Sequence, residues 1–203
     1  MIYIRLYEEY FEAHEIETEQ ELTDKLIEYG IPVETWGMGS AKTVKALLNE
    51  IKKKDCTVVE GMVDGKKALI RYIQFVGIQV YYNNGGEVLK LKEDYQKFKD
   101  GRIRRRIMTA SVGEKMLIGE NKQLAAVRGV AEELGVEITT NQLENGQTIE
   151  YKDKSQSYPG LETAYEGYGY DCFFTNKQYN PEGYVENQED KDTYFVWFNY
   201  SQS

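Results

Sequence analysis

Two short runs of the chain carry the strongest signal for its fold. They are Gly113-Glu-Lys-Met-Leu-Ile-Gly-Glu120 and, after seven further residues, Arg128-Gly-Val-Ala-Glu-Glu-Leu-Gly-Val136. The second run belongs to a helix predicted from about Asn121 to Leu134, because Gly135 suits the left-handed conformation that ends many helices. The pattern therefore predicts a loop followed by a helix that carries two adjacent glutamates near its C-terminus.

On this helix, residues 129, 132 and 133 are related by i, i+3 and i+4, so they are expected to share one face, and Arg128 can pair with Glu132. The opposite face is expected to be the apolar stripe, formed by Leu124, Val127, Ala131 and Leu134. Two carboxylates aimed from one turn are hard oxygen ligands of the kind that Mg²⁺ and Mn²⁺ prefer. Such a cation could hold a diphosphate and activate water.

The same residues resemble the Nudix box, which reads Gly, five residues, Glu, seven residues, Arg-Glu, an aliphatic residue, any residue, Glu-Glu, any residue, Gly, aliphatic. The positions that fit are Glu120, Arg128, Val130, Glu132, Glu133, Gly135 and Val136. Two positions depart from the pattern. Gly113 lies one residue too far from Glu120, and Gly129 stands where the box has the Glu of its Arg-Glu pair.

The resemblance implies an α/β fold, namely a Nudix-like α/β/α sandwich with a mixed sheet over residues 57–203, and leaves residues 1–56 as an N-terminal α-rich extension. It implies metal-dependent hydrolysis of a nucleoside diphosphate linked to another moiety, with Mg²⁺ or Mn²⁺ as cofactor and a nucleotide-type small molecule as partner. Carried over to this sequence, the metal ligands are Glu132 and Glu133. Arg128 and Glu120 complete the catalytic set as residues that orient the helix and the loop.

Gly129 leaves three hypotheses open. Another carboxylate completes the metal shell, with Glu114, Glu162 and Glu166 as candidates, or the site has lost catalysis and kept nucleotide or protein binding. In the third hypothesis the match is accidental, and the acidic, Tyr-rich C-terminal part of a scaffold protein docks on a basic partner. From Glu144 onward there are 11 acidic residues against four Lys, and nine of the 17 Tyr.

A basic run lies between the strands and the box: Lys97, Lys99, Arg102, Arg104, Arg105 and Arg106. Arg pairs with phosphate through two parallel hydrogen bonds, so Arg102, Arg104 and Arg106 are candidate substrate-binding residues. The alternative is an exposed strand whose arginines pair with the many carboxylates of the chain. The sequence favours neither interpretation.

The amino-acid composition excludes several classes of partner and of metal site. The chain has 203 residues, 34 Asp and Glu against 25 Lys and Arg, and a net charge of -9, which argues against a nucleic-acid polymer or an anionic membrane as partner. His14 is the only histidine, so no site with several His ligands can form. Cys56 and Cys172 are expected to be free, buried thiols, and with no signal-peptide pattern the expected location is cytoplasmic. The sequence leaves open whether the chain forms a homodimer.

The remaining patterns predict local structure. Ile2 to Tyr7 alternates like a strand, Thr18 and Glu21 form a capping-box signature, and Ser40 is the predicted cap of a second helix. Strands are predicted over residues 57–63, 69–82, 87–98, 161–174 and 193–200, with a hairpin turn at residues 83–86. Two features each allow two interpretations. Trp36 stacks on a ligand or anchors the core, and the row from Tyr168 to Phe174 stacks on a nucleobase or forms sheet core.

Overall fold

The structure, a computed structural model, describes residues 3–6, 9–12 and 15–200. Within these ranges the strands are β1 (Tyr3–Leu6), β2 (Glu9–Glu12), β3 (Thr57–Val63), β4 (Lys66–Asn84), β5 (Glu87–Phe98), β6 (Ile103–Arg104), β7 (Val112–Lys115), β8 (Leu143–Lys154), β9 (Glu162–Phe174), β10 (Tyr184–Asn187) and β11 (Lys191–Asn199). The helices are α1 (Glu19–Glu28), α2 (Val44–Lys52) and α3 (Lys122–Leu134). The first predicted strand is confirmed as β1, whereas His14 lies outside the described residues.

The strands pair in the order β10-β11-β5-β4-β9-β8, with β3 and β7 also pairing with β4 and β6 pairing with β5. β1 and β2 form a separate two-stranded sheet. This mixed sheet with few helices confirms the α/β class predicted from the sequence. None of the helices in the described ranges is long and apolar enough to cross a membrane.

Two compact units divide the chain. The first unit comprises Met1–Gln74, Lys115–Gly119 and Ile149–Gly167, and the second comprises Phe75–Glu114, Glu120–Thr148 and Tyr168–Ser203. The core of the first unit draws residues from both sides of position 57, including Leu22, Leu47 and Leu69. The division into an extension over residues 1–56 and a domain over 57–203 remains a prediction.

Helix α1 of the first unit begins with the predicted capping box. The Thr18 hydroxyl accepts a hydrogen bond from the Glu21 amide at 3.2 Å, and the Glu21 carboxylate accepts one from the Thr18 amide at 3.1 Å. Leu22 and Leu26 from this helix are fully buried. The sequence thus identified both the start of the helix and the face that it buries.

The cap predicted for α2 was wrong by three residues. Thr43, not Ser40, caps this helix, because its hydroxyl accepts a hydrogen bond from the Ala46 amide at 3.1 Å. Just before it, the Lys42 amide donates to the Ser157 carbonyl at 2.8 Å, a long-range bond from the segment that precedes the helix.

Trp36 anchors the core of the first unit. Its side chain is buried, its Nε1 donates a hydrogen bond to the Pro159 carbonyl at 2.9 Å, and its ring centroid lies 5.1 Å from that of Tyr158. Both the indole face and the indole N–H are therefore satisfied within the protein. Of the two interpretations of Trp36, the structure confirms the core anchor.

A charged cluster centred on Glu50 ties α2 to β4 inside the first unit. The Glu50 carboxylate accepts hydrogen bonds from Lys42 at 2.7 Å, from the Tyr158 hydroxyl at 2.9 Å and from the buried Arg71 guanidinium. Burial alone would raise the pKa of Glu50, but the Lys42 hydrogen bond, the Arg71 charge and the Tyr158 hydroxyl outweigh it and lower this pKa to about 2. Cys56 beside it is a free thiol whose pKa burial raises to about 11, so it is a neutral packing group, and Cys172 is also free and buried.

The second unit contains the predicted hairpin. β4 pairs with β5 from Tyr81 opposite Lys90 to Asn84 opposite Glu87. Gly85 and Gly86 have φ angles of 63° and 109°, a region that glycine enters without steric cost. Tyr170, Cys172 and Phe174 of β9 are buried, which agrees with the interpretation of this row as sheet core, whereas Tyr168 is only half-buried.

We expect Glu50→Gln to lower the free energy of unfolding at pH 7 by roughly 3 kcal/mol, because it leaves the buried Arg71 charge without its partner. The pKa of Glu50 is lowered to about 2 in the folded protein, against an ordinary value of 4.5. Its contribution is therefore complete above pH 4.5 and is lost as the pH falls toward 2. Urea unfolding at several pH values should show the gap between wild type and variant closing over this window.

The matched control is Glu34→Gln, which changes an exposed carboxylate of the same unit. It should alter the free energy of unfolding by no more than about 0.5 kcal/mol at any pH. A gap between wild type and Glu50→Gln that stays constant down to pH 2 would contradict the assignment.

Candidate active site

Helix α3 forms where the sequence predicted it. The Asn121 side chain accepts hydrogen bonds from the amides of Gln123 at 3.0 Å and Leu124 at 3.1 Å, which satisfies two amides that a helix start leaves free. At the other end Gly135 has a φ of 65° and closes the helix by donating its amide to the Ala131 carbonyl. Both ends are thus fixed by local sequence.

The face that α3 buries differs from the prediction. Leu124 is 58% exposed and Ala131 is also exposed, so of the predicted stripe only Leu134 is fully confirmed. The buried residues are Ala125, Ala126, Gly129, Val130 and Leu134. Gly129 and Glu133, four residues apart, both turn toward β7, as the predicted shared face requires. That face packs against the strand, so the prediction that it lies opposite the core was wrong.

The reason is the close approach of α3 to β7. A Cβ atom at position 129 would lie 2.7 Å from the Cβ of Glu114 and 3.6 Å from a methyl carbon of Val112. Real Cβ atoms essentially never come within 3.0 Å of such a neighbour. Glu114 thus occupies the space into which a side chain at position 129 would begin to extend.

Arg128 links three carboxylates around this contact. Its guanidinium donates to Glu114 at 2.7 Å, to Glu120 at 3.1 and 3.2 Å, and to Glu132 at 3.4 Å. The hydrogen bond to Glu120, followed by the bond and charge of Glu114, raises the pKa of the Arg128 guanidinium above its usual value. The network connects β7, the loop residue Glu120 that precedes the Asn121 cap, and the last turn of α3.

The two neighbouring glutamates of the box lie in different surroundings. The Glu132 side chain is 57% exposed. Glu133 is half-buried and accepts a hydrogen bond from the Gly113 amide at 3.3 Å. Burial, followed by the negative charge of Glu186, raises the pKa of the Glu133 carboxyl to about 8, although the Gly113 bond opposes the shift.

A cavity of about 210 Å³ lies beside these residues, within the second unit. It is lined by Gln96, Arg104, Arg106, Gly113, Glu114, Glu132, Glu133, Glu186, Gln188, Lys191 and Thr193. Four carboxylates and three cationic side chains thus share one small space. The structure brings Glu132 and Glu133 to this space, together with two arginines of the basic run.

The basic run is divided by the fold. Arg104 and Arg106 line the cavity, where Arg104 donates to Gln96 at 3.0 Å and Arg106 donates to the buried Glu93 at 2.6 to 3.0 Å. Arg102 instead pairs with Asp100 at 2.7 Å in the neighbouring turn, and it does not line the cavity. Arg105 pairs with Asp94. Arg102, Arg105 and Arg106 thus each pair with a carboxylate, as the second interpretation expects, while Arg104 and Arg106 lie at the cavity where the first would need them.

The donor set of the cavity suits a hard cation, since carboxylates are the ligands that Mg²⁺ and Mn²⁺ prefer. Yet among residues 3–6, 9–12 and 15–200, no three His, Cys, Asp or Glu side chains are arranged to hold a metal ion. Of the candidate third ligands, Glu114 lines the cavity. Glu162 and Glu166 belong to the first unit, where Glu166 accepts hydrogen bonds from Tyr72 and from Gln74.

Sequence reasoning missed the part of the cavity that comes from the end of the chain. Glu186, Gln188, Lys191 and Thr193 lie on β10, on β11 or between them. They lie 50 or more residues after the box, and only the pairing of β11 with β5 brings this region beside Gln96. In the sequence they are ordinary polar residues of a hairpin, and no spacing marks them.

Comparison with models of known protein families finds no match, and neither does comparison with curated proteins. Solved structures do match. An Ap4A hydrolase of C. elegans is 17% identical with a TM-score of 0.36, and the match covers 63% of this chain and 80% of that chain. A MutT/nudix family protein from Enterococcus faecalis is 13% identical with a TM-score of 0.43, covering 93% of this chain and 59% of that chain.

The NUDIX domain of Shewanella oneidensis NrtR, solved with ADP ribose, is 8% identical with a TM-score of 0.35 over 63% of this chain and 73% of that chain. The chain is similar to Nudix structures, as its box predicted. At these identities and TM-scores the matches assign no activity and no residue role to it.

We expect Gly129→Ala to lower the free energy of unfolding by about 1 to 3 kcal/mol, because the added Cβ would collide with Glu114. A decrease in the free energy of unfolding would be informative, because Ala in place of Gly within a helix otherwise stabilises the helix by up to about 1 kcal/mol. Urea denaturation measures the effect.

The double variant Gly129→Ala with Glu114→Gly removes the colliding Cβ and should recover part of the loss. Gly169→Ala is the matched control, because its nearest neighbour would be 3.9 Å away. A Gly129→Ala protein as stable as the wild type would show that β7 and α3 are not in close contact.

Proposed function

We propose that the chain is a metal-dependent hydrolase of a nucleoside diphosphate linked to another moiety. The observation that supports this proposal is the cavity in which carboxylates of α3 and β7 face guanidiniums of residues 104 and 106. Carboxylates suit a divalent cation, and guanidiniums suit phosphate oxygens. A diphosphate bound with its cation carries both kinds of charge that this cavity would recognise.

In this proposal Glu132 and Glu133 hold Mg²⁺ or Mn²⁺, with Glu114 as the further carboxylate. A bound cation of this kind neutralises phosphate charge and lowers the pKa of water. The water oxygen bonds to one phosphorus, and the bridging P–O bond breaks. The leaving phosphate keeps the bonding electron pair, and the proton released from water passes to solvent or to a carboxylate of the cavity.

The cationic side chains bind and orient the phosphates. Arg106 is held by Glu93, whose side chain is only 3% exposed, so its guanidinium plane is fixed before a ligand arrives. Arg104 is held less rigidly by the neutral Gln96 side chain. Arg102, which pairs with Asp100, remains a predicted substrate contact that would need the turn to move.

In this proposal Arg128 and Glu120 hold neighbouring segments of the site in place. Their ion pair holds the loop that leads into α3 against the helix, and the bond from Arg128 to Glu114 holds β7 against it. They are positioning residues, because neither lines the cavity. A nucleotide-type small molecule in the cytoplasm is the proposed partner, a homodimer is a proposed assembly, and the net charge of -9 disfavours a nucleic-acid polymer.

A second candidate function is nucleotide binding without chemistry. Two observations favour it: position 129 carries no carboxylate, and no group of three metal-ligating side chains is arranged within the described ranges. A cavity with fewer fixed ligands would bind its cation weakly, yet its arginines would still hold phosphate oxygens. The two candidates differ in one outcome, the formation of product.

We expect the protein to hydrolyse at least one of a panel of nucleoside diphosphate derivatives with Mg²⁺ or Mn²⁺, and Glu133→Gln to lower kcat/KM by about 100-fold or more. The loss follows because an amide replaces a charged ligand. Isothermal titration with Mn²⁺ alone should show weaker metal binding by the variant. Glu137→Gln, just past the helix, is the matched control and should leave both measurements unchanged.

Equal turnover by wild type and Glu133→Gln would exclude the assigned site. Thermal stabilisation by a nucleotide without product would select the binding module instead. Absence of both metal binding and nucleotide stabilisation would favour the scaffold hypothesis.

A further inference from the structure

The lining of the cavity contains no aromatic ring and no apolar side chain on which a nucleobase could stack. Apart from Gly113, each of the residues that line it carries a polar or charged side chain. Proteins commonly hold bases by stacking them on aromatic rings or on apolar side chains. The cavity therefore offers charge to phosphates and to a cation, and offers nothing apolar to a base.

The size of the cavity agrees with this chemistry. Its volume is about 210 Å³. Pockets that enclose a drug-sized ligand usually span about 300 to 1,000 Å³. A diphosphate with its cation is much smaller than a whole nucleotide, so a base attached to it would extend out of the cavity.

The aromatic side chains of the same unit are engaged with one another. Tyr82 stacks on Tyr179 with ring centroids 3.7 Å apart, and the Trp197 indole N–H donates to the Asn180 carbonyl at 2.8 Å. Tyr95 stacks on Tyr194 at 4.4 Å. These rings already form packing contacts within the unit, and none of them lines the cavity.

We propose that this site selects its substrate by the phosphoanhydride and is indifferent to the nucleobase. The substrate class is thus wider than nucleotides and includes diphosphate esters that carry no base. This inference rests on the proposed function, since it names what the same cavity would hydrolyse. It follows from the charge, the volume and the absence of an apolar surface in the cavity lining.

The test compares kcat/KM for four substrates that differ only in their base, ADP-, GDP-, CDP- and UDP-glucose, and for 5-phosphoribosyl diphosphate, which has none. With Mg²⁺ or Mn²⁺ present, we expect all five values to lie within tenfold of one another. A preference above tenfold for one base, or failure to hydrolyse the baseless compound while nucleotides react, would overturn the inference.

Binding measurements distinguish this inference from the proposed function. Isothermal titration calorimetry in the presence of the cation should detect binding of inorganic pyrophosphate and should detect no binding of adenosine. If no compound is hydrolysed but pyrophosphate binds and adenosine does not, the hydrolase proposal fails and selection by phosphate stands. Binding of adenosine, or no binding of pyrophosphate, overturns selection by phosphate whatever the turnover.

Variants of the cationic residues that line the cavity provide a further test of the inference. Arg104→Gln and Lys191→Gln should each weaken the binding of pyrophosphate by about tenfold. Each should also weaken the binding of the four nucleotide sugars by the same factor. Arg105→Gln is the matched control, because Arg105 belongs to the same run but pairs with Asp94 and does not line the cavity. A loss that depends on the base would contradict the proposal, and melting temperatures check that each variant is folded.

Discussion

The second unit depends on one steric constraint, the close approach of α3 to β7 at Gly129. The helix can lie this near to the strand only because position 129 has no side chain, and Glu114 fills the space instead. This contact brings the carboxylate of β7 beside those of the last helical turn. Arg128 then holds them together through charge-assisted hydrogen bonds, which are about twice as strong as neutral ones.

The same constraint explains how two adjacent glutamates come to differ. A helix packed on its Gly129 and Val130 side turns Glu133 toward the protein and leaves Glu132 near water. The cavity then contains one carboxyl whose pKa is raised, and two others, those of Glu114 and Glu132, that pair with Arg128. Pairs of carboxylates in unlike surroundings are a common way for one site to combine different roles.

Sequence reasoning was accurate where the structure is decided locally. β3, β5, the capping box of α1 and the Gly cap of α3 depend on residues only a few positions apart, and all were predicted. Errors arose where distant segments compete with local signals. The segment before α2 is bonded through its Lys42 amide to the distant Ser157 carbonyl, and Thr43 caps the helix instead of Ser40. The contact with β7 selects small residues instead of Leu124 as the buried face of α3.

For the candidate site, the sequence by itself determined the helix, its two glutamates and the Arg128 that accompanies them, because helical spacing fixes such neighbours. Only the tertiary structure decided that Gly129 faces inward, that Arg104 and Arg106 reach the cavity while Arg102 does not, and that Glu186 and Lys191 complete it. The physical reason is that β-sheet pairing joins residues far apart in the chain, such as those of β5 and β11, and sequence spacing carries no record of that register.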